Sequence, residues 1–167
     1  MRDSNTAVTD NIEPAIDVPK LIQVSNKGSD PILIQIWREI RKLYFADRED
    51  IDDYTVVWST RRQKRTLASC NVRRRRIVVA RELRYPDYLG WLSPLLYHEM
   101  CHAILGFNVA QRNRKRLWHG AEFRALESRH PGIIALDSWI KSGGWFQAVR
   151  RERARSRTKT IVSLIFP

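Results

Sequence analysis

Two cysteines in 167 residues, Cys70 and Cys101, are too few for a disulfide scaffold and too few for a four-cysteine zinc ribbon. Glycine is sparse as well, seven in all, and no glycine-rich phosphate loop occurs. The longest apolar stretch is interrupted by His98, Glu99 and His102, so no segment reads as a membrane span. The opening residues MRDSNTAVTD have no apolar core of the kind that a secretory signal needs. Together these absences point to a reducing interior, with neither export nor a membrane partner. There is no internal repeat, and the length suits one compact domain with short appendages.

Acidic residues thin out along the chain. Residues 1–60 hold seven basic and eleven acidic side chains, a balance of −4, so the net charge of +12 leaves +16 for the remainder. The excess sits in three arginine-rich blocks. The first runs from Arg61 to Arg84 and contains Arg73, Arg74, Arg75 and Arg76; the second holds Arg112, Arg114, Lys115 and Arg116; the third spans Arg150 to Lys159 and opens with Arg150 and Arg151. One such block would be an ordinary solvated face. Three of them, dominated by a planar fork that grips phosphate with two prongs, point to a polyanionic partner, namely nucleic acid.

Residues 1–29 mix Asn, Thr, Asp, Pro and Ser with little periodicity and read as a flexible lead-in, with one short strand at LIQVS. Order is expected from Asp30, which can cap a helix with Pro31 at its first position. Leu33, Ile36, Trp37, Ile40, Leu43 and Tyr44 then recur at helical spacing. After the acidic turn ADREDIDD, the segments YTVVWST, TLASCNV and RIVVARE are predicted as three short antiparallel strands.

The segment PLLYHEMCHAIL, residues 94–105, begins after Ser93 and stops at Gly106, giving a helix of about three turns. Residues i and i+4 stand one above the other on one face. His98 and His102 can therefore aim ring nitrogens at a point about 2.0–2.1 Å from each, the geometry of a zinc ion. Glu99 is turned about 100° from His98, beside the metal rather than on it, where it can take a proton from water. Two histidines and a glutamate on an otherwise apolar helix need partners if buried. Cys101 reads as a small core residue.

A catalytic zinc takes three protein ligands and one open position. The metzincin pattern would need glycine at 105 and histidine at 108, where this chain has Leu105 and Asn108. His119, Glu122, Glu127 and His130 remain, on a segment LWHGAEFRALESRHPG that starts a helix near His119 and ends it at Pro131 and Gly132. His119 and Glu122 are three apart on one face, and spacing does not separate them. Tyr97, His130 and the arginines are candidates for stabilising an oxyanion, although His130 reads better as a helix-end residue bonding local carbonyls.

HExxH, a short basic connection and then HGAEF resemble the SprT-like metalloproteases, the group that includes the DNA–protein crosslink protease Spartan. The resemblance covers roughly residues 31–132. It implies zinc ligands at His98, His102 and His119, Glu99 as general base, and a supporting role for Glu122. It also implies that the strand before the helix, here RIVVA, lines the cleft and pairs with substrate backbone. The four-cysteine ribbon of many bacterial relatives is missing.

The expected fold is therefore α+β: a small zincin-like domain over residues 30–147, its helices packed on a short antiparallel sheet, with a basic tail over 148–167. The expected function is hydrolysis by one zinc per chain of protein substrates bound to DNA, in a nucleoid-associated cytoplasmic setting or a nuclear one. The alternative is a nucleic-acid-binding module with a structural zinc and no turnover. Trp118, beside the second basic block, could stack on an exposed base.

Overall fold

The computed structural model describes residues 29–112 and 115–165. Asp30 opens helix α1 (Pro31–Tyr44): its carboxylate accepts from the Ile32 and Leu33 amides at 3.0 and 3.3 Å, and Pro31 fills the first turn. Leu33, Trp37 and Ile40 form the buried stripe. Leu43, expected to extend it, is 74% exposed, because the inward face passes instead to Tyr44 and the buried Phe45. Two bonds tie the start of α1 to the sheet: the Asp30 amide donates to the Val56 carbonyl at 3.0 Å, and the Val56 amide donates to Ser29 Oγ at 3.1 Å. The acidic stretch folds as a 3₁₀ turn, Glu49–Asp53, whose Ile51 is buried and takes the Trp37 indole N–H on its carbonyl.

Strands β1 (Thr55–Trp58), β2 (Ala68–Asn71) and β3 (Arg76–Val79) lie where the sequence places them, but their pairing corrects the expectation of an antiparallel sheet. The order is β1-β3-β2, with β2 antiparallel to β3 and β1 parallel to it. The hairpin between β2 and β3 turns through Arg75, whose positive φ of 46° closes it, and β1 takes the remaining edge of β3. Ile77 and Val79 are wholly buried on β3, the central strand, and among the described residues β2 is an edge strand. RIVVA therefore cannot pair with a substrate. The strand that lines the cleft is β2.

After 3₁₀ turns at Arg81–Leu83 and Pro86–Trp91 comes α2 (Leu92–Leu105), ended by Gly106 at φ 55°. Leu92, Leu95, Leu96, Tyr97, Met100, Cys101 and Ala103 are buried on nearly every side of it, the mark of a central helix. It packs against α1, β2, α3 (Ala121–Glu127) and α4 (Ile133–Lys141). Between α2 and α3, β4 (Gln111–Arg112) and β5 (Lys115–Arg116) form a small antiparallel ribbon that the sequence pattern did not announce.

The basic C-terminal segment belongs to α5 (Gly144–Ile165), so the boundary drawn at residue 147 falls inside a helix. A Cβ on Gly144 would stand 2.1 Å from the Trp139 indole nitrogen, which explains glycine at this corner. Trp145, Ala148, Val149 and Glu152 are buried. Glu152, 2% exposed, accepts from the Tyr85 hydroxyl and pairs with Arg81 at 3.2 Å and Arg84 at 3.7 Å, while Arg155 lies over the Tyr85 ring. Among the described residues no helix is long and apolar enough to cross a membrane. The segment LIQVS and most of the lead-in lie outside the described residues.

Glu152→Ala should strip two guanidinium groups of their buried partner. Losing one member of a wholly buried pair costs about 3–5 kcal/mol, and Arg84, 39% exposed, rehydrates in part. Chemical denaturation should show a loss of about 2 kcal/mol; an unchanged midpoint would mean that this network does not hold α5 in place.

Candidate metal centre

The burial of α2 leaves one open stripe, and His98 and His102 lie on it. His98 and His102, one turn apart, face the cleft, and the loop after β5 carries His119 across to meet them. One ring nitrogen from each of His98, His102 and His119 can be chosen so that all three lie within 4.8 Å of one another, the only such group of metal-binding side chains among the described residues. His119 Nε2 and His102 Nε2 are 3.1 Å apart. Two nitrogens held about 2.0–2.1 Å from one tetrahedral ion stand about 3.3 Å apart, so the spacing fits a shared metal. A single imidazole–imidazole hydrogen bond would also account for that pair. It would not account for a third ring at the same point.

The surroundings adjust each ring. His98 Nδ1 donates to Glu127 Oε1 at 2.5 Å, which leaves Nε2 as the nitrogen available to the metal. Burial opposes charge on His98, but the bond to Glu127 and the nearby carboxylates outweigh it and raise its pKa; the same bond lowers that of Glu127. Burial, followed by the neighbouring His98 and His119, pushes His102 down to about 4, and burial with His98 lowers His119. His102 therefore offers a neutral ligand throughout the physiological range. Glu99 is 4% exposed, and burial pushes its carboxyl up to about 7. A carboxyl poised there both takes and returns protons near neutrality.

The remaining ligand candidates separate clearly. Glu122 lies on the exposed face of α3, outside the histidine group, and Glu127 stands behind His98. His130 accepts from the Gly132 amide on Nδ1 at 3.0 Å and bonds Ser93 Oγ through Nε2 at 3.1 Å. Tyr97 is wholly buried with its hydroxyl donating to the Leu126 carbonyl at 2.8 Å, so neither Tyr97 nor His130 has a group free to stabilise an oxyanion. Cys101 is buried, as expected.

The histidines and Glu99 open into a cleft of about 500 Å³, whose opposite wall is β2 and the turn after it, with Phe107 and Trp118 at its lip. Among the arginines singled out in the sequence, Arg73 and Arg116 both lie over the Phe107 ring, at 5.7 and 5.1 Å, so the first and second basic blocks meet there. Arg74 and Arg76 are exposed near the same turn. Arg75 is paired with Asp53 at 2.5 Å and Arg151 with Asp87 at 3.1 Å, while Arg150 lies over Phe146 on α5. Arg112 and Lys115 pair their backbones in the ribbon, and Arg114 lies outside the described residues. Sequence reasoning passed over Phe107 and the role of β2. The small, polar composition of ASCN, suited to an exposed edge, is the signal that could have shown the latter.

Removing the carboxylate behind a metal-bound histidine typically costs 10–100-fold in metal affinity. Competition with a chromogenic chelator should therefore show a drop of that size for Glu127→Ala, near-complete loss for His119→Ala and little change for Glu122→Ala. A Glu122→Ala variant that loses metal while His119→Ala keeps it would reverse the ligand assignment.

Among curated proteins none matches the chain. The profile of the SprT-like family matches residues 33–133, from the first buried leucine of α1 to the start of α4, and so takes in all three histidines and Glu99. The chain belongs to the SprT-like family.

Proposed function

We propose that the protein is a zinc-dependent endopeptidase acting on proteins bound to DNA. The observation that carries the catalytic half is the meeting of three imidazoles beside a buried carboxyl, Glu99, at the foot of an open strand edge. Three nitrogen donors with space in front of them match a catalytic zinc rather than a closed four-ligand structural one. When bound, zinc would supply Lewis acidity and lower the pKa of water.

The chain's own groups do the rest. The free edge of β2 offers amides and carbonyls with which an extended substrate can pair, fixing the peptide across the mouth of the cleft. Glu99 takes the proton from the attacking water and returns it to the amine that leaves, a transfer suited to a carboxyl held near neutrality. Glu127 holds the His98 ring in one orientation. A binding module with a structural zinc would have no use for Glu99.

The DNA half rests on charge. The balance of +16 beyond residue 60 includes the β2–β3 turn and the β4–β5 ribbon, which adjoin at the lip of the cleft. DNA held there would keep a bound protein close to the histidines and raise the effective concentration of its cleavable segments.

Glu99→Gln should retain one zinc per chain and lose about 10²–10⁴ of the hydrolytic rate; a variant that still hydrolyses a fluorogenic peptide at the parent rate would end the assignment of Glu99 as the base.

Replacing Arg73, Arg74 and Arg76 together by Ala should flatten the plot of log DNA affinity against log salt by about two to three units, since each phosphate left without its arginine removes about 0.9 from the slope. Long DNA should also speed cleavage of a histone-like protein far more than of a free peptide. An affinity no better than that of an unrelated neutral protein at moderate salt would reduce the arginines to solvated surface.

A further inference from the structure

The cleft does not end at the histidines. A second hollow of about 280 Å³ adjoins it and shares Ala68, His98 and Glu99 with it. The two hollows are strung along one segment of chain, residues 65–68 bordering the second and 68–73 the first. An extended peptide paired with β2 at about 3.3 Å per residue would thus pass from one hollow to the other, with its reacting bond level with Ala68 and Glu99.

Their chemistry differs. The first hollow carries Arg73 at its rim and the Phe107 and Trp118 rings at its lip, and Arg116 lies 5.1 and 5.9 Å from those two rings. Neither Arg73 nor Arg116 has an ion-pair partner among the described residues, and Glu99, at the inner end, is the only carboxylate residue in the lining. The rings hold the guanidinium groups in place and reduce the entropy lost when they bind an anion. The second hollow has an aliphatic wall of Leu67, Leu95, Ile133, Leu136 and Ile140; its outer charges, Arg65 and Asp137, are of opposite sign, and Glu127 is engaged with His98. It has room for a side chain, and its aliphatic wall gives that side chain an apolar surface to pack against.

We propose that these two hollows set cleavage specificity: the scissile bond is flanked on the Arg73 side by an acidic residue and on the Ile133–Leu136 side by a large aliphatic one. This rests on the peptidase reading and extends it to substrate class. Arg73 and Arg116 select by charge, and α4 selects by apolar volume.

The test has two arms. In the first, the zinc-loaded chain digests a mixed peptide library and the cut sites are read by mass spectrometry. Asp or Glu should be enriched on one flank, with Leu, Ile or Met on the other. In a matched peptide pair, kcat/KM should favour Glu over Lys about tenfold, and Leu over Gly by about tenfold or more. Arg73→Glu with Arg116→Glu should reverse the Glu/Lys preference and leave the aliphatic one, whereas Ile140→Trp, which fills the second hollow, should abolish the aliphatic preference and leave the acidic one. In the second arm, the inert Glu99→Gln chain, loaded with zinc, binds the same fluorescent peptides without cutting them, so the order of affinities tests the two hollows even if no turnover is found. Absence of turnover with the expected order of affinities would overturn the peptidase reading alone. Cut sites without flank preference, or preferences unmoved by the variants, would overturn this proposal. So would a Phe107→Ala and Trp118→Ala pair that weakens single-stranded DNA binding but leaves the peptide profile intact, since the lip would then be a platform for bases.

Discussion

The rest of the structure depends on the burial of α2. A helix hydrophobic on nearly all sides must be covered by neighbours on nearly all sides, and α1, β2, α3 and α4 do so. One narrow stripe stays open, and His98 and His102 are on it. Because a packed core resists deformation, the two imidazoles are held by the same packing that holds the fold, and a third ring delivered by the loop after β5 meets them without the helix having to move. Glu99, one residue on, falls on the buried side of that stripe. Its burial is thus a consequence of helical pitch in a crowded setting, and its raised pKa is a consequence of its burial.

The same packing decides what faces the site. With β3 paired on both edges, β2 is the strand that lines the cleft, and its small residues leave the space in front of the histidines open. Beyond it, the hairpin turn brings Arg73 over the ring of Phe107, and on the other side α4 supplies aliphatic side chains. Arg73 and the aliphatic residues of α4 thereby border different hollows that share His98 and Glu99. Arg73 of the first basic block and Arg116 of the second meet over the Phe107 ring at the same lip.

Much of this was legible in local patterns. Asp30 and Pro31 announced α1, and HExxH with HGAEF carried the helix, the histidines and the family. These features are encoded by residues close in sequence. Strand pairing is not: the three strands could be found from their β-branched content, but β1 and β3 are far apart in sequence, and no local pattern marks their pairing as parallel. The C-terminal segment misled for a different reason. Its arginines dominate the composition, whereas Trp145, Ala148, Val149 and Glu152 recur at spacings of three, one and three, a helical stripe that was present in the sequence but outweighed by charge. The choice between His119 and Glu122 needed three dimensions, since two residues on one face of a chain segment differ only in which of them the turn before α3 carries toward α2.

The central claim is that three histidine nitrogens hold one zinc ion with a position left open. X-ray absorption and anomalous scattering at the zinc edge, on the full chain loaded with one equivalent of zinc, test it most directly. The account predicts one anomalous peak between His98, His102 and His119 and three nitrogen ligands at about 2.0–2.1 Å, with lighter solvent scatterers completing the sphere. A peak elsewhere, or a first coordination sphere that includes a carboxylate of Glu122 or Glu127 in place of His119, would contradict it.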